Sequence, residues 1–167
     1  MHEAALRFDA VVRQRETQVL RIAYRMLGNW ADAEDVAQET FVRLHRKGLA
    51  AIGEDAAVGG WLCRVAVNLC LDRLRSRSRW RLTEMPELTA PSISAEAETL
   101  QAEQKRLLME AVAQLPDRER AAIVLREIEG LSTAETAAAM GSTEPTIRSQ
   151  ISKALGHLRA LLTKEKV

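Results

Sequence analysis

Residues 132–162 read STAETAAAMGSTEPTIRSQISKALGHLRALL, and their punctuation decides what kind of fold this is. Ser132-Thr133-Ala134-Glu135 has the spacing of a capping box, in which the hydroxyl and the carboxylate each satisfy a backbone N–H at a helix start. A short helix is predicted from there to Met140. Gly141 lacks a Cβ and suits a tight turn after it. A longer helix is then predicted from about Thr143–Pro145 to Leu162. Along it Ile147, Ile151, Leu155, Leu158 and Leu162 form an apolar stripe at helical spacing. A short helix, a glycine turn and a longer helix make a helix-turn-helix. The opposite face carries Arg148, Ser149, Ser152, Lys153 and Arg159, side chains able to reach phosphates and base edges in a major groove. Arg148 is the best base reader, since its planar fork matches guanine O6 and N7. A basic face alone is the ordinary mark of a solvated helix; the cap, the turn and the preceding helix favour DNA.

The surrounding composition agrees with helices. Leu, Ala, Glu and Arg dominate, and only 4% of the 167 residues are aromatic, which disfavours a sandwich or barrel. With 47% hydrophobic and 28% charged residues the chain should bury a core, and the expected class is all-α. Residues 83–95, TEMPELTAPSISA, hold two prolines, and from Thr83 to Gln104 five glutamates occur with no basic residue. This segment reads as a flexible linker between two small helical domains, 6–82 and 96–163. The net charge is only +1, so any affinity for nucleic acid must come from local segregation of charge.

In the first block Leu20, Tyr24 and Leu27 suggest a stripe that stops at Gly28-Asn29. A helix is predicted from about Ala31 to Lys47, facing Val36, Thr40, Phe41 and Leu44 inward, with Asp32, Glu34, Asp35 and Glu39 in its first turns, where acids suit the helix dipole. Gly48 to Gly60 reads as a loop with residual helix. Next comes a long helix from Trp61 to Trp80, whose sequence to Leu82 holds six arginines and one acid, Asp72. Val65, Leu69, Leu71 and the cysteines supply its packing side. Arg73, Arg75, Arg77, Arg79 and Arg81 can neutralise phosphates, and Trp80 can stack on an unpaired base. Such a helix could equally bind an acidic protein or be merely solvated. In the second block a helix from Leu100 to Leu115 ends at Pro116, and Asp117 can cap another that Gly130 stops.

Other chemistries find little support. Cys63 and Cys70 are seven residues apart on one helix, about 10 Å along its axis, beyond disulfide reach. They read as small buried residues, with redox sensing or metal binding as alternatives; His2, His45 and His157 show no ligand spacing to them. The acidic run DAEDVAQE at 32–39 brings no convergent partners, and no P-loop, GxSxG, HExxH or paired CxxC motif occurs. It reads either as a solvated helix start or as a docking surface. No catalytic residue, cofactor, small-molecule substrate or metal is expected. The N-terminus lacks a signal-peptide core and no apolar run is long enough to span a bilayer, so the expectation is a soluble, cytoplasmic protein that is not membrane-inserted.

Taken in order, three segments resemble the extracytoplasmic-function (ECF) sigma factors of the sigma-70 family. YRMLGNWADAEDVAQETFVRLHRK (24–47) is similar to regions 2.1–2.2, WLCRVAVNLCLDRLRSR (61–77) to regions 2.3–2.4, and LPDRERAAIVLREIEGLSTAETAAAMGSTEPTIRSQISKALGHLR (115–159) to region 4. The resemblance implies that Asp32, Asp35, Gln38, Glu39 and Phe41 dock on the clamp helices of the largest subunit of core RNA polymerase. It implies that Trp61, Asn68, Asp72, Arg73, Arg75 and Arg77 help melt the −10 element and hold its opened strand, and that Thr146, Arg148, Ser149, Ser152 and Lys153 read the −35 element as duplex. It also implies an anti-sigma factor as partner, often at the inner membrane. Relatives often carry arginine at the position of Gln150 and a larger or basic residue at that of Ser152, which implies fewer or different −35 contacts. The segment GEDAAVGG (53–60) lacks the aromatic often found there. A LuxR-type helix-turn-helix regulator would explain the C-terminal half but not the N-terminal one. A polymerase-binding scaffold would explain the acidic run but not the basic face.

Overall fold

The expected stop at Gly28-Asn29 separates two helices, α1 (His2–Leu27) and α2 (Trp30–Lys47), in a computed structural model that describes residues 1–81 and 99–164. The Asn29 side chain accepts from Asp32 N at 3.0 Å and so caps α2. On α1 the core line is Val19, Ile22, Ala23 and Met26, each at most 1% exposed, while Leu20 and Tyr24 lie half-buried on its flank. On α2 Val36, Thr40 and Leu44 are buried as expected, and the Thr40 hydroxyl donates to Val36 O at 2.7 Å, which satisfies it inside the core.

The segment expected to be a loop is mostly helical. A single turn, α3 (Leu49–Ile52), precedes α4 (Asp55–Arg81), which begins six residues before the predicted start at Trp61. Tertiary burial overrides the weak propensity of Gly59-Gly60: Val58 is 1% exposed, and the Arg15 guanidinium lies so close over Gly59 that a Cβ there would meet it at 2.9 Å. The packing side of α4 is Leu62, Cys63, Ala66, Val67, Cys70, Leu71 and Leu74, with Val65 and Leu69 only half-buried. α1, α2 and α4 thus form a three-helix core in which a fully buried Ile22 or Leu62 contributes about 1.5–3 kcal/mol. The predicted linker, 83–95, lies outside the described residues, as do the side chains of Trp80 and Arg81.

The second group of helices packs around the last one. α5 (Leu100–Ala113) is capped by Thr99, whose hydroxyl oxygen accepts from Ala102 N at 3.2 Å. α6 (Asp117–Ile123) begins with Asp117 inside its first turn; Pro116 occupies the cap position, so Asp117 favours the dipole without capping. α6 runs into a π-helical turn, Val124–Ile128, closed by Glu129 N donating to Val124 O at 2.9 Å. α7 (Thr133–Met140) has the expected capping box: Glu135 N donates to Ser132 Oγ, and Ser132 N to Glu135 Oε1, both at 3.0 Å. Gly141 then turns the chain at φ 60°, a left-handed conformation that glycine adopts without strain. α8 (Glu144–Lys164) buries Ile147, Ala154 and Leu158, with Ile151 half-buried. Leu155, placed on the stripe by spacing, is 38% exposed, and Ala154 holds the core position instead. Among the described residues no strand occurs and no helix is long and apolar enough to cross a membrane.

The two groups also meet. α7 lies against α4, while α5, α6 and the π turn lie against α1.

Candidate nucleic-acid and docking surfaces

Burial of Ile147, Ala154 and Leu158 orients α8 so that its far side is free, and there Thr146, Arg148, Ser149, Ser152 and Lys153 are all exposed. Arg159 extends this face by another turn. Thr143 Oγ1 accepts from Thr146 N at 3.4 Å and lies 2.9 Å from the Thr146 hydroxyl, so the first of the predicted contacts is tied to the start of the helix. Near the other end His157 Nδ1 sits 2.7 Å from Glu119 Oε2, which pins α8 to α6. Gln150 points away from this face: it is half-buried, and its Oε1 is shielded from solvent with no hydrogen-bond partner among the described residues. Arg148 and Lys153 are therefore the cations central to the face, flanked by two serine hydroxyls that can reach phosphates.

α4 divides its polar residues between two sides. Asn68, Asp72, Arg75 and Arg79 recur at spacings of four, three and four on the exposed side, and Arg64, one turn earlier, continues the row. Arg64 was absent from the sequence-derived set although the i−4 spacing from Asn68 marks it. Asp72 and Arg75 pair with each other, so the row combines a neutral amide, an ion pair and two further cations. Trp61 is half-buried one turn before Val65.

Arg73 and Arg77 face the other way, toward α2. Arg73 Nη1 lies 3.4 Å from Asp32 Oδ1 and 3.9 Å from Asp35 Oδ2. Arg77 pairs with the second oxygen of Asp32 and donates to Leu27 O at 2.9 Å, closing the C-terminal carbonyl of α1. Two residues expected to meet DNA thus brace the acidic run expected to meet polymerase. Within that run Asp35 and Gln38 are exposed, whereas Asp32, Glu39 and Phe41 are half-buried and Glu39 pairs with Arg43 at 3.0 Å. Trp30 stands exposed beside them, its ring 5.5 Å from Tyr24 in an edge-to-face contact.

The two thiols belong to the core. Burial pushes the Cys63 thiol up to about 11, with the charge of Glu129 adding to the effect, and burial pushes Cys70 up to about 12. Both are buried and pack as small apolar side chains, with burial favouring the protonated thiol at neutral pH. Among the described residues no three metal-ligating side chains converge.

Both halves of the chain match known proteins. Residues 11–80 match the family model of Sigma-70 region 2, and residues 105–158 that of Sigma-70, region 4. The chain is 40% identical over 162 residues to the ECF RNA polymerase sigma factor SigE of Mycolicibacterium smegmatis, a match covering 94% of this chain and 62% of that protein, so it spans less than two thirds of SigE. It is 36% identical over 155 residues to the ECF RNA polymerase sigma factor SigM of Mycobacterium tuberculosis, covering 93% of this chain and 76% of the relative. Its fold is similar to that of the sigma factor RpoE in complex with the anti-sigma factor NepR from Bartonella quintana, with TM-score 0.74, 22% identity, and coverage of 93% of this chain and 96% of that one.

Proposed function

Because this chain belongs to the ECF RNA polymerase sigma factors, we propose that it joins core RNA polymerase and directs it to promoters through two modules, 6–82 and 96–163, joined by 83–95. The observation that carries this reading is the pair of uncovered faces: the Arg148–Lys153 face of α8 and the Arg64–Arg79 row of α4, each on a module that matches a sigma region. The α8 face, with Thr146, Arg148, Ser149, Ser152 and Lys153, reads the −35 element as duplex, Arg148 supplying base contact and Lys153 phosphate contact. The α4 row, with Asn68, Asp72 and Arg75 and with Trp61 at its start, captures the opened −10 strand. Arg73 and Arg77 contribute positive potential there while holding Asp32.

Polymerase docks on Asp35, Gln38 and the flank formed by Asp32, Glu39 and Phe41, on its largest-subunit clamp helices. The chain performs no covalent step: energy from binding the unstacked strand offsets the cost of opening base pairs, and polymerase transfers nucleotides. An anti-sigma factor acts on the same surfaces, and the protein works in the cytoplasm, where such a partner can hold it at the inner membrane. A LuxR-type regulator would leave residues 11–80, which match Sigma-70 region 2, without a role.

Adding the protein to core enzyme with a genome-wide promoter pool from its own organism is expected to yield a discrete set of run-off transcripts that depend on it. A pool in which no transcript depends on it with core enzyme alone would overturn the reading.

A further inference from the structure

Consecutive residues in the first turn of α6 reach the two ends of the helix-turn-helix. Arg118 Nη2 donates to Met140 O at 3.0 Å, on the last residue of α7, and Glu119 Oε2 lies 2.7 Å from His157 Nδ1, late in α8. A third bond comes from the π turn, where Arg126 Nε donates to Thr133 Oγ1 at 3.3 Å, on the first residue of α7. α6 and its π turn thus grip α7 at both ends and α8 at its far end.

The Met140 carbonyl opens the turn into α8. A helix leaves its last four carbonyls without intrahelical donors. In α7 two of them are served from within the turn, Ser142 N donating to Ala137 O at 2.9 Å and Gly141 N to Ala138 O at 3.3 Å. Met140 is buried, and the donor on its carbonyl comes from outside the motif, from an arginine whose own side chain is exposed. A charged donor makes such a bond about twice as strong as a neutral one.

With α8 held at His157, the place of Arg148 depends on how the near end of the helix is held. Packing of the buried Ile147 seats that end but is not directional, whereas the hydrogen bond to Met140 O is. Arg148 stands nine residues before His157, about 13 Å along the axis, so a tilt of about 5° about that anchor carries it about 1 Å sideways. A bidentate grip on guanine needs donor–acceptor distances of about 2.7–3.2 Å, so that shift breaks it. Lys153 lies nearer the anchor, moves less, and meets phosphate as a point charge. The geometry of the turn therefore bears on base discrimination more than on affinity.

We propose that Arg118 is a positioning residue for promoter reading: by holding the Met140 carbonyl it fixes the tilt of α8 at which Arg148 meets its base pair, and so sets how sharply the −35 element is discriminated without itself touching DNA. The proposal rests on the −35 reading above. An exposed arginine beside a helix-turn-helix is also placed to meet a phosphate, since the first helix of such a motif crosses the DNA backbone. The two roles differ in salt dependence, because a phosphate contact releases a counterion and a contact within the protein does not.

The test compares Arg118→Met, which keeps a long stem and removes the donor, with Arg118→Lys, which keeps a cationic donor. Each full-length protein, with core polymerase, transcribes a promoter pool randomised in the −35 segment, and the transcripts are sequenced. The base pair read by Arg148 is the one whose preference Arg148→Ala relaxes. Arg118→Met should lower the preference at that pair about fivefold to tenfold while −10 preferences stay parental, and Arg118→Lys should recover most of it, which a packing role for the stem would not. The salt dependence of complex formation on the preferred promoter should be parental in both variants. Backbone amides of residues 141–147 should exchange hydrogen about fivefold faster in Arg118→Met and at the parental rate in Arg118→Lys, with α5 unchanged in both. Parental discrimination or parental exchange in Arg118→Met, or an equal loss in the two variants, would overturn the positioning role. So would a salt slope smaller by about one in Arg118→Met, which would make Arg118 a phosphate contact. A parent protein that supports no transcription with core enzyme would instead strike the promoter reading, and the exchange rates at 141–147 would still decide whether Arg118 holds the turn.

Discussion

Replacing Asp32 by Asn keeps the shape of the side chain and removes the charge that binds α2 to α4. Asp32 contacts Arg73 and Arg77 at once and lies in the first turn of α2, where the helix dipole favours an anion. Its side chain is 31% exposed and the arginines 40% and 28%, so neither pair deserves the value of a buried bridge. Partly exposed pairs contribute about 0.5 kcal/mol each and the dipole a similar amount, for a total near 1.5 kcal/mol. In a chain of this size that lowers the melting temperature by about 5 °C. The same change releases two arginines on a helix proposed to hold single-stranded DNA. Affinity for a labelled single strand should rise, and its salt dependence should steepen toward one or two more released counterions per complex. Circular dichroism melts and fluorescence anisotropy across salt concentrations, both without polymerase, measure the two effects on one sample. A variant with parental melting temperature and parental salt slope would refute the claim that Asp32 restrains Arg73 and Arg77.

Individual contacts yield two further expected outcomes. Arg148→Ala should cost about 1–3 kcal/mol of binding to a −35 duplex and relax discrimination at one base pair, while a pull-down with core polymerase remains unchanged; loss of core binding would show that Arg148 serves another role. The Glu135 carboxyl is held below its ordinary value of 4.5, chiefly by its bond to the Ser132 backbone N–H and then by the Ser132 side chain. A depressed acid stabilises the fold above its unfolded value and loses that contribution as the pH falls through the folded one. Stability should therefore decline as pH drops below about 4.5, and Glu135→Gln should flatten that part of the profile; a parallel decline in both proteins would remove the capping box as its source.

Ser132 and Glu135 also show why so much of the C-terminal half was legible without coordinates. A capping box, a glycine stop and a helical stripe each act within about four residues, and the sequence contains both partners side by side. Where such local logic was applied to a long apolar stripe it slipped by one position, at Leu155 and Ala154, because two residues about a hundred degrees apart compete for the core edge and only packing chooses. The early start of α4 is not legible locally for a related reason: Gly59-Gly60 argue against helix, and what outweighs them is burial of Val58 and the close approach of Arg15 from another helix.

Charged residues divide along the same line. By itself the sequence determined that helices form, where most begin and end, that α8 has a basic side, and that arginines gather late in α4. It could not say which arginines remain available, because an ion pair depends on a partner brought near by folding. Only the tertiary structure turned Arg73 and Arg77 onto Asp32 while leaving Arg64 and Arg79 exposed, and only it set Glu129 between Arg21 and Arg25. Local periodicity decides the face of a helix on which a charge sits; the packing of distant helices decides what that charge meets.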